Sequence, residues 1–491
     1  MSAYFLLIPI LFPILGGAFV GVRHMRVRRH RELFVGVVTL LTSLMVWYML
    51  WNRPESDALI LNLAGNLAVK FHVDGMSCVF AGLVSVLWPL AALYAFEYMR
   101  KEGKENVFFS FYTMTYGITL GIAFSANLMT MYMFYEMLTL VTIPLVMHEL
   151  DHKSIVATRK YVNYSIGGAA FAFIGFISIL TFGDTLDFTY GGVLSAEAIA
   201  ENGNLLQFIY VLAVMGFGVK AALFPFHGWL PSASVAPTPV TALLHAVAVV
   251  KAGAFAIIRI TYYCFGADFL RGTTAQYVVL GLAAFTIVYG SAKALKEQHC
   301  KRRLAYSTVS NLSYIIFSAA LMTPAGLVGG LAHMIFHGIM KITLFFCIGA
   351  VMIKTGRKYL WEMEGLAKRM PFLFTVYTIA GLALVGIPPL TGFVSKWYIA
   401  TAAVAEGSVM AKVGLAALMV SALLTAMYIL QVAVRAWLPS KDFQPESVRS
   451  LEVPGNYMRI PLGILCGLIV VLGVHSQPLI DFLTKIASGV L

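Results

Sequence analysis

Residues 326–353 read GLVGGLAHMIFHGIMKITLFFCIGAVMI, an apolar run long enough to cross the hydrocarbon layer of a membrane as one helix. His333, His337 and Lys341 interrupt this run at every fourth position. Such positions lie on one face of a helix, so we expect the three side chains to lie within reach of a hydrogen bond or one bridging water. Ionisable side chains at membrane depth are costly and usually face a hydrated interior with a function. The segment therefore predicts a membrane helix with one polar, titratable face.

The composition of the whole chain agrees with a membrane protein. Of 491 residues, 59% are hydrophobic and only 12% are charged, which is too little charge for the surface of a soluble protein of this size. The net charge of +12 is explained better by membrane topology than by a nucleic-acid partner. Five cysteines are scattered without a CxxC pair: Cys78, Cys264, Cys300, Cys347 and Cys466. We therefore expect no metal, cofactor or catalytic residue in this chain.

Apolar segments of roughly 20 residues, the length that a spanning helix needs, recur along the chain. They predict an all-α integral membrane protein of about 14 transmembrane helices, in a single membrane domain over residues 1–491. The segments lie near 3–22, 33–51, 75–96, 107–125, 127–147, 162–182, 206–226, 240–261, 276–294, 304–323, 326–353, 371–400, 412–434 and 460–482.

The basic residues support this count and predict an orientation. Alternate loops, starting after the first segment, hold 25 Lys and Arg, whereas the remaining loops hold five. Basic loops face the cytoplasm, so we expect both termini outside. The two longest outer connections are 52–74, whose loose alternation predicts a small hairpin, and 183–205, which is acidic and Gly-rich and predicts a solvated loop.

Several ionisable residues fall inside the predicted spans, where no loop can expose them. Arg259 lies near the outer end of its helix and can extend to the interface, so we do not count it. One glutamate cannot neutralise four lysines pairwise, although an ion pair between Glu136 and Lys220 would lower the cost of burying both. The candidate set for proton or ion translocation is Glu136, Lys220, His245, Lys251, His333, His337, Lys341 and Lys396.

The spacing of His245 and Lys251 leaves two arrangements open. On an ideal helix, two residues six positions apart project about 120° from each other around the axis. These side chains therefore do not share one face. They share one only where the helix is distorted; otherwise each contacts a different neighbour.

Two lysines stand beside helix breakers. Lys220 is followed by Pro225 and Pro231, and Lys396 is preceded by Pro388 and Pro389. Proline frees backbone carbonyls, which membrane proteins tolerate where they line a cavity, and broken helices beside buried charges are typical of transporters. Residues 107–261 and 276–436 each contain five spans, with a lysine in the fourth. An odd-numbered unit repeated in tandem must be inverted, so we predict two inverted five-helix repeats.

These motifs resemble the antiporter-like subunits of respiratory complex I, of Mrp-type Na+/H+ antiporters and of membrane-bound energy-converting hydrogenases. The lysine at position 396, where some complex I members carry glutamate, is more similar to the Mrp D-type and hydrogenase subunits. The resemblance rests on Tyr135-Glu136, Lys220 to Pro231, Pro237 to His245 leading to Lys251, Arg302-Arg303 before residues 304–310, the strip from His333 to Lys341, and Pro389 to Lys396.

The resemblance implies a fold and a mode of action. It implies 14 core helices that include two inverted five-helix repeats, a functional pair of Glu136 with Lys220, and a hydrated axis through Lys251, His333 and His337 to an exit near Lys396. It also implies a prokaryotic inner or plasma membrane and a larger complex. The expected partners are a second antiporter-like subunit, small helical subunits, a peripheral redox arm, the lipid bilayer and the transported protons, with Na+ as a second candidate and no nucleic acid.

Two other functions stay open on the residues alone. One is a self-contained secondary transporter of a small solute, which requires a substrate pocket. The other is a redox subunit that binds quinone or metal, against which the missing CxxC and haem-ligand motifs count. Redox energy and an existing ion gradient are both compatible with the sequence as the driving force.

Overall fold

The computed structural model describes residues 3–490 and is mostly helical. The long elements are α1 (Leu7–Arg23), α2 (Arg28–Asn52), β1 (Ala58–Ala64), β2 (Leu67–Phe71), α3 (Gly75–Glu102), α4 (Glu105–Ala123), α5 (Leu128–Val146), α6 (His152–Phe182), α7 (Ala196–Lys220), α8 (Thr238–Phe265), α9 (Thr274–Lys296), α10 (Cys300–Ala320), α11 (Pro324–Thr355), α12 (Pro371–Val385), α13 (Thr391–Glu406), α14 (Val409–Trp437), α15 (Asn456–Val474) and α16 (Gln477–Ala487).

Short helical turns connect several of these elements. They are Ala3–Leu6, Phe226–Gly228, Trp229–Ser232, Ala233–Val235, Ala267–Leu270, Leu360–Met363, Leu366–Lys368 and Glu446–Arg449. The helix α8 also contains two wider π turns, at Leu243–Val247 and Ile260–Phe265.

Within residues 3–490, eleven helices are long and apolar enough to cross a membrane, or twelve if the bent pair Leu360–Lys368 and Pro371–Val385 is one span. The protein is thus a multi-pass membrane protein. Three of the predicted segments account for the difference from 14. The helices α4 and α10 form where segments were predicted but are not among the eleven, and segment 371–400 is divided between α12 and α13. The α10 sequence is rich in Ser, Thr and basic residues, which lowers its hydropathy although nearly all of it is buried.

Two helices form the centre of the bundle. Within an apolar stretch of 18 residues in each helix, all residues of α8 and 94% of the residues of α11 are buried, compared with 33% in α15. Side chains on α8 and α11 are therefore shielded from lipid on all sides. Polar groups on these two helices must find partners within the protein, because neither water nor headgroups reach them from the bilayer.

The hairpin predicted in residues 52–74 is confirmed, since β1 and β2 pair antiparallel. The prediction for residues 183–205 is wrong in its second half, because α7 begins at Ala196. The first half is packed rather than free: the Asp184 and Val193 backbones are hydrogen-bonded to each other, and Val193 also donates to the Cys264 carbonyl at the end of α8. Acidic and glycine content alone does not reveal such contacts.

The interpretation of Arg259 as an interfacial residue is wrong. Its side chain is 1% exposed, and the guanidinium donates to both carboxylate oxygens of Asp74, at 2.5 and 2.8 Å. The same carboxylate accepts from the Ser77 backbone N–H and caps α3. This ion pair ties α8 to the start of α3, and the aromatic rings of Phe188, Phe255 and Tyr263 surround the guanidinium.

Removing the Arg259 charge should destabilise the protein strongly. Arg259→Gln leaves Asp74, whose side chain is 22% exposed, without its cation. Removing one partner of a buried ion pair typically costs about 3–5 kcal/mol. We expect the variant to have a clearly lower thermal unfolding midpoint in nanodiscs. Arg28→Gln, which removes a half-exposed partner of Glu105, should change the midpoint little. Equal midpoints for the two variants would contradict a stabilising role of the Arg259–Asp74 pair.

Candidate functional site

Glu136 on α5 and Lys220 at the end of α7 form the ion pair that their burial predicted. The Lys220 ammonium lies 3.7 Å from the Glu136 carboxylate, and the lysine side chain is 2% exposed against 29% for the glutamate. The ammonium also donates to the Tyr135 carbonyl and lies 3.3 Å from the centre of the Tyr135 ring. Lys220 is therefore held by a carboxylate, a carbonyl and an aromatic face together.

The helix α7 ends at Lys220, five residues before Pro225, and its last carbonyls bind side chains. The Phe217 carbonyl accepts from the Tyr135 hydroxyl, and the Val219 carbonyl accepts from the Trp229 indole. Lys220 is thus the last residue of a helix whose negative dipole end favours a cation. Pro231 lies beyond the break, in the turn Trp229–Ser232.

Close packing against α8 positions this helix end. A Cβ atom on Gly253 would lie 2.5 Å from the Ala221 backbone nitrogen and 3.0 Å from the Lys220 carbonyl carbon. Only glycine lets α8 approach the broken end of α7 at this point. Gly253 follows Lys251 by two residues, so the same stretch of α8 carries the next lysine of the set.

Lys251 and His337 connect the two central helices. The Lys251 Nζ and the His337 Nδ1 are 2.5 Å apart, and both side chains are fully buried. His245 has no hydrogen-bond partner at either ring nitrogen among the described residues, but its ring contacts Phe345 of α11 at 4.9 Å between centroids. The π turn at Leu243–Val247 supplies the helix distortion considered for His245 and Lys251, and both side chains face α11.

The second broken helix is formed by α12 and α13, which meet at residues 386–390. The Lys396 ammonium donates to the carbonyls of Leu384 and Val385 at the end of α12, at 2.8 and 2.9 Å. Lys396 is on α13, yet it caps the negative end of the preceding half-helix. Gly386, with φ of 99°, turns the chain there, and Pro388 and Pro389 follow it.

The three residues of the α11 strip have separate partners. The His333 and His337 rings stack at 5.7 Å between centroids, and His333 Nδ1 is bonded to the Ser395 hydroxyl at 2.9 Å. The Lys341 ammonium donates to the Ser307 hydroxyl of α10 at 2.7 Å. The strip therefore contacts three other helices: His337 contacts α8, His333 contacts α13, and Lys341 contacts α10.

The sequence motifs did not reveal the polar residues that receive these contacts. Ser395 precedes Lys396 and Ser307 lies in the quoted stretch 304–310, so both were close to a recognised motif. A serine in an apolar helix gives no signal of its own, because its hydroxyl usually bonds the carbonyl one turn earlier. Asp74 was missed for a different reason, since it stands just outside a predicted span.

A polar cavity of about 700 Å³ opens beside the ends of α3, α5, α10 and α11. Its lining includes Glu102, Glu149, His299 and the buried Lys301, which donates to the Ala236 carbonyl at 2.5 Å. Burial raises the pKa of Glu149, and the nearby Glu102 and Asp151 raise it further. Burial, together with Lys301 and Arg302, lowers the pKa of His299 to about 4. Among residues 3–490, no group of three or more His, Cys, Asp or Glu side chains is placed to hold a metal ion.

A bundle of apolar helices with a buried row of lysines and histidines, and with two helices broken beside a lysine, defines a multi-pass membrane protein of the antiporter-like class. The chain belongs to the family described as NADH:quinone oxidoreductase/Mrp antiporter, TM, whose profile matches residues 125–435. This confirms the resemblance seen in the sequence motifs.

Similar proteins come from both branches of this family. NADH-quinone oxidoreductase subunit N of Desulforudis audaxviator is 31% identical over 446 residues, which cover 88% of this chain and 84% of that protein. One of the Na(+)/H(+) antiporter subunits of Alkalihalophilus pseudofirmus is 32% identical over 349 residues, and the match covers 67% of this chain and 42% of that protein.

Two solved structures share the fold over nearly the whole chain. One is a chain of the membrane-bound sulfane sulfur reductase, an archaeal respiratory membrane complex, with a TM-score of 0.84, 25% identity and coverage of 99% of this chain and 97% of that one. The other belongs to the Mrp complex from Dietzia, with a TM-score of 0.83, 22% identity and coverage of 98% and 97%. These relatives and neighbours are subunits of multi-subunit membrane complexes.

Filling the space at Gly253 should disturb the Lys220 helix end. In Gly253→Ala the new methyl group meets the Ala221 backbone, and such overpacking typically costs about 1–3 kcal/mol. We expect a lower thermal midpoint and lower transport activity in vesicles. Gly467→Ala is the matched control, because a Cβ there meets no atom within 4 Å. Wild-type stability and activity in Gly253→Ala would contradict the close packing of α8 on α7.

Proposed function

We propose that this chain is the proton-translocating, antiporter-like subunit of a complex I-related redox-driven pump or of an Mrp-type cation/proton antiporter. The observation that carries the proposal is the row of buried ionisable side chains, from Glu136 and Lys220 through Lys251, His337 and His333 to Lys396. Each is held by a polar neighbour inside a bundle that is apolar on its outside. Such intramembrane residues typically form proton relays.

The Glu136–Lys220 pair serves as the electrostatic switch of this row. Two unit charges about 4 Å apart interact by roughly 4 kcal/mol at an effective dielectric constant of about 20. Separating the pair therefore changes the free energy of protonating Lys220. The charge on Lys220 in turn affects the protonation of the neighbouring Lys251. Glu136 is the more exposed partner and is the group that a neighbouring subunit or a hydrated surface can reach.

The relay itself consists of Lys251, His337, His333 and Lys341, with Lys396 as the gate. His245 faces the same helix α11 and supplies a further titratable site beside Phe345. Lys396, bound to carbonyls of a broken helix and next to the Ser395–His333 contact, controls one exit. The polar cavity lined by Glu149 and Lys301 supplies a second opening for protons in this proposal.

The finer topology belongs to the same proposal. We infer 14 spans, with both termini outside and with residues 107–261 and 276–436 as two inverted repeats. The similar placement of Lys220 and Lys396, each at the carbonyl end of a broken helix, supports the repeat. The concentration of Lys and Arg in alternate loops supports the orientation.

Partners and energy source follow from the class of the relatives. We propose a prokaryotic plasma membrane, a second antiporter-like subunit, small helical subunits and, in a redox-driven assembly, a peripheral arm that carries the cofactors. The transported ion is the proton, and Na+ is a second candidate. The chain itself then performs ion transfer and no redox chemistry.

Neutralising the ion pair should stop transport. We expect Lys220→Met and Glu136→Gln to lower proton translocation by the assembled complex at least tenfold in sealed vesicles, measured with a pH-sensitive dye. The physical reason is that neither variant can form the charge pair whose separation drives the relay. Lys412→Met, at an exposed position on α14, is the matched control and should retain activity.

Assembly must be followed in parallel, by the amount of intact complex on a native gel. Full coupling in normally assembled Lys220→Met would overturn the proposed function.

A further inference from the structure

Seven buried hydroxyl groups lie together on α9, α10 and α14, beside Lys341. None of these residues is accessible to solvent or lipid. They are Ser291, Ser307, Ser310, Tyr314, Ser421, Thr425 and Tyr428, and we call them the hydroxyl cluster.

One half of the hydroxyl cluster is hydrogen-bonded to Lys341 of the relay. The Lys341 ammonium donates to the Ser307 hydroxyl at 2.7 Å, and the Tyr428 hydroxyl donates to the same Ser307 oxygen at 2.8 Å. Tyr428 is also hydrogen-bonded to Thr425 at 3.1 Å. Lys341 thereby reaches α14 through two successive hydroxyls.

The other half is centred on Ser421. Its hydroxyl lies 2.6 Å from that of Ser291 and 3.0 Å from that of Ser310, and it accepts from Tyr314 at 2.7 Å. The step between the two halves lies on α14, where Thr425 stands one turn from Ser421 and its hydroxyl donates to the Ser421 carbonyl. One water, or rotation of a hydroxyl, completes that step.

At its other end, the hydroxyl cluster contacts His333 and Lys396 of the relay through the Tyr314 ring. The Tyr314 ring lies 5.2 Å from the His333 ring, between centroids, and the Lys396 ammonium lies 5.4 Å from the centre of the same Tyr314 ring. The direct step along α11 lacks a hydrogen bond within the described part of the chain, since the Nε2 atoms of His333 and His337 are both buried without a partner there.

The bonding of Ser307 and Ser421 differs from that of ordinary buried serines and threonines, whereas Thr425 of the cluster donates to the Ser421 carbonyl one turn earlier. On the same helix α10, Thr308 and Ser313 donate to the carbonyl one turn earlier, which satisfies them locally. Ser307 and Ser421 instead bind hydroxyls of other helices. A hydroxyl both donates and accepts, so a connected set of them can pass a proton along.

We propose that the hydroxyl cluster is a proton-carrying branch that joins Lys341 to the His333 and Lys396 end of the relay through Ser307, Tyr428, Ser421 and Tyr314. The inference deepens the proposed function and rests on it. The branch gives Lys341 a role that the α11 strip does not explain, because Lys341 is bonded to Ser307 and not to either histidine.

The proton balance of the branch is simple. The hydroxyls must first turn so that Ser307 donates to Tyr428 and Ser421 donates to Tyr314, the reverse of the directions in the structure. A proton that leaves the Lys341 ammonium then enters the Ser307 hydroxyl, each hydroxyl receives one proton and passes on one, and one proton leaves from Tyr314 through a water to the His333 Nε2. Lys341 becomes a neutral amine and His333 becomes charged. The hydroxyls must then turn again before a second proton can follow, whereas transfer in the opposite direction runs through the same groups without that turn.

Removing single hydroxyls from the assembled complex tests the branch. We expect Ser307→Ala, Tyr428→Phe and Ser421→Ala each to lower proton translocation about three- to tenfold, with thermal stability and assembly close to wild type. Ser307→Thr, which restores a hydroxyl, should recover most of the activity. Ser307→Ala combined with Tyr428→Phe should be no worse than the more impaired of the two single variants, because both interrupt the same path.

Tyr116→Phe and Ser43→Ala are the matched controls, since these residues form a buried hydroxyl pair at 2.8 Å between α2 and α4, outside the ionisable row. Wild-type transport in the three hydroxyl-lacking variants would overturn the branch, and so would Ser307→Thr as impaired as Ser307→Ala. If one of the three hydroxyl-lacking variants fails to assemble, proton transport by the other two tests the branch. Loss of transport in Lys220→Met without any effect of the hydroxyl variants would overturn the branch alone, whereas full transport in Lys220→Met would overturn the proposed function.

Discussion

The hydrogen bond between Lys251 and His337 joins the two helices that lipid and water do not reach. A lysine in the centre of a membrane bundle has no solvent to bind its ammonium, so its partner must come from the facing helix. The packing of α8 on α11 brings that partner to 2.5 Å. The surrounding helices then have to shield the pair, which explains why these two are buried far more completely than the outer ones.

The two broken helices solve a related problem at either end of the row. When a helix stops inside a membrane, its last carbonyls lose their partners and carry a partial negative charge. Lys220 is the last residue of α7 and its ammonium binds Glu136 and the Tyr135 carbonyl of α5, whereas Lys396 reaches back to cap the half-helix before it. A free carbonyl end and a buried ammonium are each costly alone and compensate each other when they meet. Such a pairing is present at Lys396, whereas at the end of α7 the Tyr135 hydroxyl and the Trp229 indole bind the last carbonyls.

The face of the bundle that carries the β-hairpin is organised by ion pairs that involve no member of the relay. Arg259 and Asp74 hold α8 to the start of α3, and Lys70 of β2 binds Asp187 in the following loop at 2.7 Å. The hairpin and this loop therefore cover the end of α8 as one packed layer. This layer packs against the end of α8, whereas the π turn at Leu243–Val247 interrupts the regular helix in its first half.

The sequence by itself determined the membrane class, the ionisable residues that no loop can expose and the hairpin after α2. These features depend on hydropathy, charge and local spacing. Only the tertiary structure decided that Lys341 binds Ser307, that Arg259 is buried against Asp74 and that α7 begins at Ala196. Each of these joins residues that are distant in the chain or are set by packing, and helical periodicity carries no information about which faces of different helices meet.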